Sequence, residues 1–360
     1  MVNIVGEIVH PFDPDARIIP FGSYALQAQL SQSDIDVLVI TTQTRCTFFD
    51  QLEQRLFDDE RVSDIVVVRD TFVPVVKFYV GKAHYDIVVA CVRTHTELEC
   101  IEEVDRRAMS ASFVTQSLLR AAHPNFASAL VRIKTWAEQN HVYSNTLGLL
   151  NGIGLAILTT WLFEHGSQEN IFHELIHMLA VFPFETYAVE LFRTEHEPAA
   201  PGKCMTVYIP CESQRINAFH NVGPSQFVCI RNAARRTLEQ TPERPIHFFL
   251  TDFSFFLHVH LFSSKNNHAP FLAQVHAKLK SLIKSLEPIR SHPLPRVWSF
   301  RSEHFHRSSM FIAFAEMPSL QTVSEFFVPF VQKDHRICTD ILSTSKLPAF
   351  FYDITDGPPS

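Results

Sequence analysis

Apolar positions follow two rhythms along the chain. Between residues 16 and 92, short β-branched runs ("ARIIPFG", "DIDVLVIT", "DIVVVRD", "PVVKFYV", "YDIVVACV") are broken by one amphipathic stretch, "FFDQLEQRLF". Such runs predict strands, and the helical interruption predicts a small mixed sheet with helices packed on it, an α/β unit. After about residue 95 the period lengthens. In "FASALVRIKTWAEQ", Leu130, Ile133, Trp136 and Ala137 share one helix face, so the middle third reads as a helical bundle. Within it "EPAAPGKCM" (197–205) reads as a loop between helices, and Pro242 and Pro245 mark a second boundary. Beyond that, "FSFFLHVHLFSS", "FLAQVHAKLKSLIKSLEP", "SSMFIAFAE" and "LQTVSEFFVPFVQ" read strand, helix, strand, helix, a compact α+β module. The expected domains are 1–95, 96–243 and 244–360, in the order α/β, α, α/β.

Composition narrows the class. A hydrophobic share of 46%, with 32 Phe and only 10 Gly, excludes a largely disordered chain and places most Phe in cores. The formal net charge of -7 excludes binding of nucleic acid by overwhelming basic charge and leaves room for a local basic groove. Seven Cys without a CxxC pair, and no secretory signal, read as free thiols in a reducing compartment. "TLGLLNGIGLAILTTWLF" (146–163) is nearly long enough to span a bilayer, but Asn151, its glycines and the lack of a basic flank fit a helix buried in protein, so no membrane contact is expected.

The chemistry concentrates in "FGSYALQAQLSQSDIDVLVI" (21–40). Gly22 allows close backbone approach, and Ser23 opens a short helix whose unpaired N–H groups favour a phosphate. Gly-Ser alone is an ordinary helix cap. No GxxxxGK[ST] is present, which excludes a P-loop. Asp34 and Asp36, two apart on a strand, point the same way, and like charges so close call for a cation. Asp86, opening another Val-rich strand, supplies a third carboxylate. Three such groups can hold two ions about 3.5–4 Å apart, the arrangement of in-line phosphoryl transfer.

These residues carry a family resemblance. "GSYALQAQLSQSDIDVLVI" resembles the nucleotidyltransferase signature, while "DTFVPVVKFYVGKAHYDIVVA" and "RIKTWAEQNHVYSNTLGLLNGIGLAIL" are similar to blocks of the eukaryotic poly(A) polymerases. The likeness continues through "INAFHNVGPSQFVCIRNAARRTLEQ" and into the C-terminal module, similar to the family's RNA-recognition-like domain; it covers about residues 18–345. It implies a nucleotidyltransferase mixed sheet, a helical nucleotide-binding middle domain and an RNA-binding C-terminal domain. The implied activity is template-independent addition of AMP from ATP to RNA 3′ ends, with two Mg²⁺ or Mn²⁺ ions. Gly22 and Ser23 would hold the β- and γ-phosphates, Asp34 and Asp36 both ions, and Asp86 the ion at the primer 3′-OH. Phe72 would pack at the adenine and Lys77 lie near the primer end or base. Lys134 and Tyr143 would contact the nucleotide and its triphosphate, while Asn145, Gly152 and Ile153 would line the sugar and base pocket. The same resemblance implies a nuclear location and cleavage and polyadenylation factors as partners, although no basic import cluster is visible.

Departures stand beside the matches. Ala25 replaces the arginine of the family's "GSYRLG", and "MSASFVTQ" puts Ser110 at an expected ribose-contacting Asn and Phe113 at an expected Arg. Those replacements suit a rival reading, an RNA-binding relative with impaired catalysis, which the retained aspartates oppose. Lys278, Lys280 and Lys284 on the "HAKLKSLIK" helix could meet RNA or form a solvated face. A second rival is zinc proteolysis, because His173, Glu174 and His177 spell HExxH; among 19 His such a match arises by chance, and no clear third ligand follows.

Overall fold

The computed structural model describes residues 3–31, 33–69, 73–94, 102–167, 169–191, 197–198, 204–209, 216–240, 245–287, 289–302, 305–330 and 335–352. Its first part runs α1 (Asn3–Val9), β1 (Arg17–Pro20), α2 (Gly22–Ala25), β2 (Ile35–Thr41), α3 (Arg45–Asp58), β3 (Val62–Val68), β4 (Val75–Val80) and β5 (Ala83–Cys91). The strands form one sheet in the order β1-β2-β5-β4-β3, with β2 and β5 parallel and the other neighbours antiparallel. Alternation of side chains sorts its two faces. Val37, Val39, Val76, Phe78, Ile87 and Val89 share a core with Phe48, Phe49, Leu52 and Leu56 of α3 and with Val5 and Val9 of α1. On the other face Leu38, Ile40, Ala90 and Val92 meet Ala108 and Met109 of α4 (Glu103–Arg120).

Helix α4 serves two cores, because Val114 and Leu118 further along it join the helical cluster of the middle part. Its start is fixed by Asp105, whose buried carboxylate pairs with Arg45 of α3 and accepts from the Cys91 N–H at 2.8 Å. That cluster is built on α5 (Phe126–Gln139), α6 (Gly152–His165), α7 (Ile171–Val181) and later α8 (Pro224–Leu238). The expected stripe of Leu130, Ile133, Trp136 and Ala137 is buried in it. Within the apolar run 146–163, α6 starts only at Gly152, where Asn151 Oδ1 accepts from the Gly154 N–H at 2.9 Å, and its burial from Gly154 to Thr160 is unbroken. Among the described residues no helix is long and apolar enough to cross a membrane.

The segment expected as a loop at 197–205 is partly strand: β6 (Tyr187–Glu190), β7 (Glu197–Pro198) and β8 (Val207–Tyr208) form a small sheet in the order β7-β6-β8. Burial of Val189 and Val207 places β6 and β8 on the helical core, an effect that loop-like composition nearby hides. After α9 (Pro245–Asp252) come β9 (Phe255–Ser264), α10 (Lys265–Ser285), β10 (Ser291–Pro293), β11 (Trp298–Arg301), β12 (Phe305–Phe314), α11 (Leu320–Phe327), β13 (His335–Ser343) and α12 (Ala349–Tyr352). Strand order is β10-β12-β9-β13, with β11 beside β12 and every described pairing antiparallel. The sequence reading stopped at α11 and missed β13, an edge strand whose exposed Arg336, Cys338 and Asp340 break the apolar pattern. Phe residues fill the cores as expected, with Phe48, Phe78, Phe184, Phe219, Phe256, Phe311 and Phe351 fully buried.

Candidate active site

The face of the first sheet that α4 covers changes character between Asp36 and Leu38. Toward one end it is apolar and buried; toward the other it carries ionisable groups in register. Asp36 on β2 is directly opposite Asp86 on β5, and Asp86 is directly opposite Lys77 on β4. One period further along, His84 on β5 faces Tyr79 on β4, and Asp34 sits one residue before β2 begins. His84 Nδ1 lies 2.6 Å from Asp34 Oδ1, its Nε2 lies 3.5 Å from Asp86 Oδ1, and Lys77 Nζ pairs with the other oxygen of Asp86. Ligand atoms of Asp34, His84 and Asp86 all fall within 4.8 Å of one another, the one such group among the described residues.

Asp36 stands beside this group with its carboxylate under Gly22. Gly22 has φ of +63°, and a Cβ there would lie 2.4 Å from Asp36 Oδ2, so only glycine permits both the turn and the close approach. Its N–H donates to Thr115 Oγ1 of α4 at 3.0 Å, an occupied donor in this conformation.

Crowding of carboxylates shows in the proton affinities. Burial first, then Asp86 and Asp34, push Asp36 up to about 7, against the pull of Lys77 and Lys134. Burial also raises Asp86, opposed by Lys77, while the bond to Asp34 raises His84. Asp86 Oδ1 is buried without a hydrogen-bond partner. Oxygen-rich donors, a surplus of negative charge and an orphaned acceptor fit use of a divalent cation at the group of Asp34, His84 and Asp86, with the Asp36 carboxylate beside it.

From this edge a cleft of about 540 Å³ opens between α2 and the helices α4, α5 and α6, lined among others by Ser23, Asp34, Asp36, Thr115, Lys134 and Tyr143. Lys134 projects from α5 as a buried cation whose Nζ donates to the Ala28 carbonyl at 2.7 Å. Desolvation lowers its proton affinity, while Glu138 and Asp36 pull it back up. Glu138, one turn later, also lines the cleft, and burial raises its carboxyl. Asn151 caps α6 such that Gly152 and Ile153 reach the cleft, with Gly152 too close to the Tyr143 hydroxyl for a freely placed side chain.

Of the anticipated residues, Gly22, Ser23, Asp34, Asp36, Lys134, Tyr143, Gly152 and Ile153 therefore line one cleft. Asp86 and Lys77 lie behind it on the sheet, paired with each other. Asn145 is exposed and turned to Asn151 and Asn221, with Asn151 Nδ2 and Asn221 Nδ2 donating to its Oδ1 at 3.3 and 3.2 Å. Phe72 falls outside the described residues. Ser110 donates to the Arg107 carbonyl at 2.8 Å and Phe113 is exposed, while their helix presents Ala111 and Thr115 to the cleft instead. His173 and His177 are exposed, and Glu174 accepts from the Ser167 N–H at 3.2 Å; among the described residues the HExxH side chains join no metal-capable group.

Sequence reasoning missed His84, Thr115 and Glu138. The first was within reach, because the period of two that joined Asp34 to Asp36 joins His84 to Asp86. Glu138 was also accessible, four residues after Lys134 on one helix face. Thr115 meets Gly22 across 93 positions and carries no local signal.

The fold is that of the nucleotidyltransferases. Solved structures agree at the level of fold: the Cid1 poly(U) polymerase superposes with a TM-score of 0.51 at 14% identity, covering 69% of this chain and 89% of that one. The model of the poly(A) polymerase nucleotidyltransferase domain matches residues 13–99, and that of the poly(A) polymerase central domain matches residues 125–236. These two matches take in more than half of the chain, which belongs to the poly(A) polymerase family. It is 24% identical over 336 residues to the poly(A) polymerase PAPa of Candida albicans, covering 81% of this chain and 60% of that protein. It is 29% identical over 223 residues to nuclear poly(A) polymerase 3 of Arabidopsis thaliana, covering 56% of this chain and 43% of that one. The chain thus spans three fifths or less of these relatives.

Proposed function

We propose that the protein is a polynucleotide adenylyltransferase that adds AMP from ATP to RNA 3′ ends without a template. The observation that carries this reading is the convergence of Asp34, Asp36 and Asp86 on one sheet face under Gly22, at the edge of a cleft whose far wall holds Lys134 and Tyr143. Two Mg²⁺ or Mn²⁺ ions held by the three aspartates would neutralise phosphate charge and acidify the primer hydroxyl. Ser23 lies at the α2 turn where a triphosphate tail would rest, and Lys134 offsets its charge from the opposite wall. Tyr143, Gly152 and Ile153 bound the space for base and sugar. Asp86, opposite Asp36 across the strand pair, would hold the ion at the primer end and help to take the proton of the attacking 3′-OH.

Residues 1–95 then act as the catalytic unit, 96–243 as the nucleotide-binding middle and 244–360 as the RNA-binding module. Closure of these parts on ATP and RNA would exclude water and test the base. A nuclear location, with cleavage and polyadenylation factors as partners, follows the naming of the Arabidopsis relative and the family resemblance. The test is incubation of the protein with an oligo(A) primer and each nucleotide in turn, in Mg²⁺ or Mn²⁺. Growth with ATP alone is expected; growth with UTP alone, or with none, overturns the proposal.

A further inference from the structure

We propose that His84 is a nitrogen ligand of the divalent-ion site, making it a mixed carboxylate and imidazole site that favours manganese or cobalt over magnesium. This rests on the reading of Asp34, Asp36 and Asp86 as ion ligands. The imidazole bridges the gap between two of them, with Nδ1 2.6 Å from Asp34 Oδ1 and Nε2 3.5 Å from Asp86 Oδ1. Ligands bound about 2.1 Å from an octahedral ion stand about 3 Å from one another; one ring nitrogen serves an ion at a time, and one ligand atom from each of Asp34, His84 and Asp86 already lies within 4.8 Å of the other two. The ring does not swing freely: it stacks on Tyr79, 4.6 Å between centroids and 21° from parallel. Beside it Asp86 Oδ1 is a buried acceptor that no protein donor satisfies.

Whichever ring nitrogen takes the ion, the other is left facing a carboxylate, the usual device that orients a ligating histidine. The chemical consequence is selectivity. Magnesium keeps an all-oxygen shell and gains little from imidazole, whereas a nitrogen donor strengthens binding of transition ions in the order manganese, cobalt, zinc.

The experiment titrates Mn²⁺ alone into the full chain, with free Mn²⁺ read by its paramagnetic resonance and the bound ion by pulsed measurement of nitrogen-14 coupling. Mg²⁺ competition gives the affinity ratio. Imidazole nitrogen modulation is expected in the unmodified protein, lost in His84→Gln and in His84→Asn, with Mn²⁺ affinity down about tenfold and Mg²⁺ affinity little changed. Bound Mn²⁺ without nitrogen modulation in the unmodified protein overturns the inference, and that spectrum decides even if both variants misfold. Modulation that persists in His84→Gln overturns it too. Failure of the unmodified protein to bind Mn²⁺ at all overturns the ion site itself, and this inference with it.

Discussion

Asp36 and Asp86 stand directly opposite each other across the parallel strand pair of the first sheet, both half-buried. Neighbouring strands lie about 4.8 Å apart, so two half-buried carboxylates at matched positions repel unless a cation intervenes. The arrangement is costly for the fold and makes sense as a preformed seat for positive charge. Asp36→Asn keeps the shape and removes one charge. Labelled-AMP incorporation should fall by at least ~10²-fold. The melting temperature without metal should stay the same or rise, since repulsion is relieved. Wild-type incorporation in a folded Asp36→Asn protein would remove this residue from the chemistry.

Gly22 sets the position of that carboxylate from above. Alanine there meets a left-handed backbone, a strain of about 1–2 kcal/mol, and a Cβ at 2.4 Å from Asp36 Oδ2. Gly22→Ala should therefore lower stability modestly and lose both Mn²⁺ binding and nucleotide incorporation. Thr115→Val separates the two effects, because it removes the acceptor for the Gly22 N–H while leaving the glycine itself. Denaturant melts and Mn²⁺ titration on both variants check this: full ion affinity in Gly22→Ala would mean that Asp36 does not need its present place.

Much of this site was legible in the sequence because its geometry is local to strands. A period of two puts Asp34 with Asp36 and, had it been applied again, His84 with Asp86. Lys134 was harder. Helical periodicity sets it apart from the apolar stripe of α5, yet it is buried, because the Ala28 carbonyl from a loop 106 positions away receives its ammonium group. Strand β13 escaped for the opposite reason, since an edge strand with one solvated face has little apolar signal. Asn145 was placed by resemblance, but its amide is drawn to Asn151 and Asn221, partners that no local pattern reveals.

Lys134 is the cation among the described residues that line the cleft, and Glu138 competes for it from one turn away. Lys134→Met should raise the KM for nucleotide about tenfold or more. It should also cost about 1–3 kcal/mol of stability, since the Ala28 carbonyl loses its donor. Glu138→Gln acts in the other sense, easing repulsion of a triphosphate and lowering KM. Steady-state kinetics with one nucleotide at saturating primer separate the two, and a Glu138→Gln enzyme with higher KM would show that this carboxyl contacts the substrate favourably.

The junction between the helical middle and the C-terminal module should be sensitive to acid. His292 is enclosed by Phe249 and Phe253, and its Nε2 donates to the His141 carbonyl at 2.8 Å. Burial depresses His292 to about 3 and His141 to about 4. In the unfolded chain an imidazole takes up a proton below its ordinary value of about 6.5, while the folded His292 stays neutral until far lower pH. The unfolded state then binds more protons, so stability is full above about 6.5 and is lost as pH falls below it. Over the interval to pH 5, His292 alone should account for ~2 kcal/mol of loss, with His141 adding in the same direction. His292→Gln keeps a donor for the carbonyl and removes the titration. Urea melts at pH 7 and pH 5 should therefore show a smaller acid loss in the variant, by about 2 kcal/mol; equal losses in both proteins would mean that His292 is not neutral in the folded state or that the junction opens before it titrates.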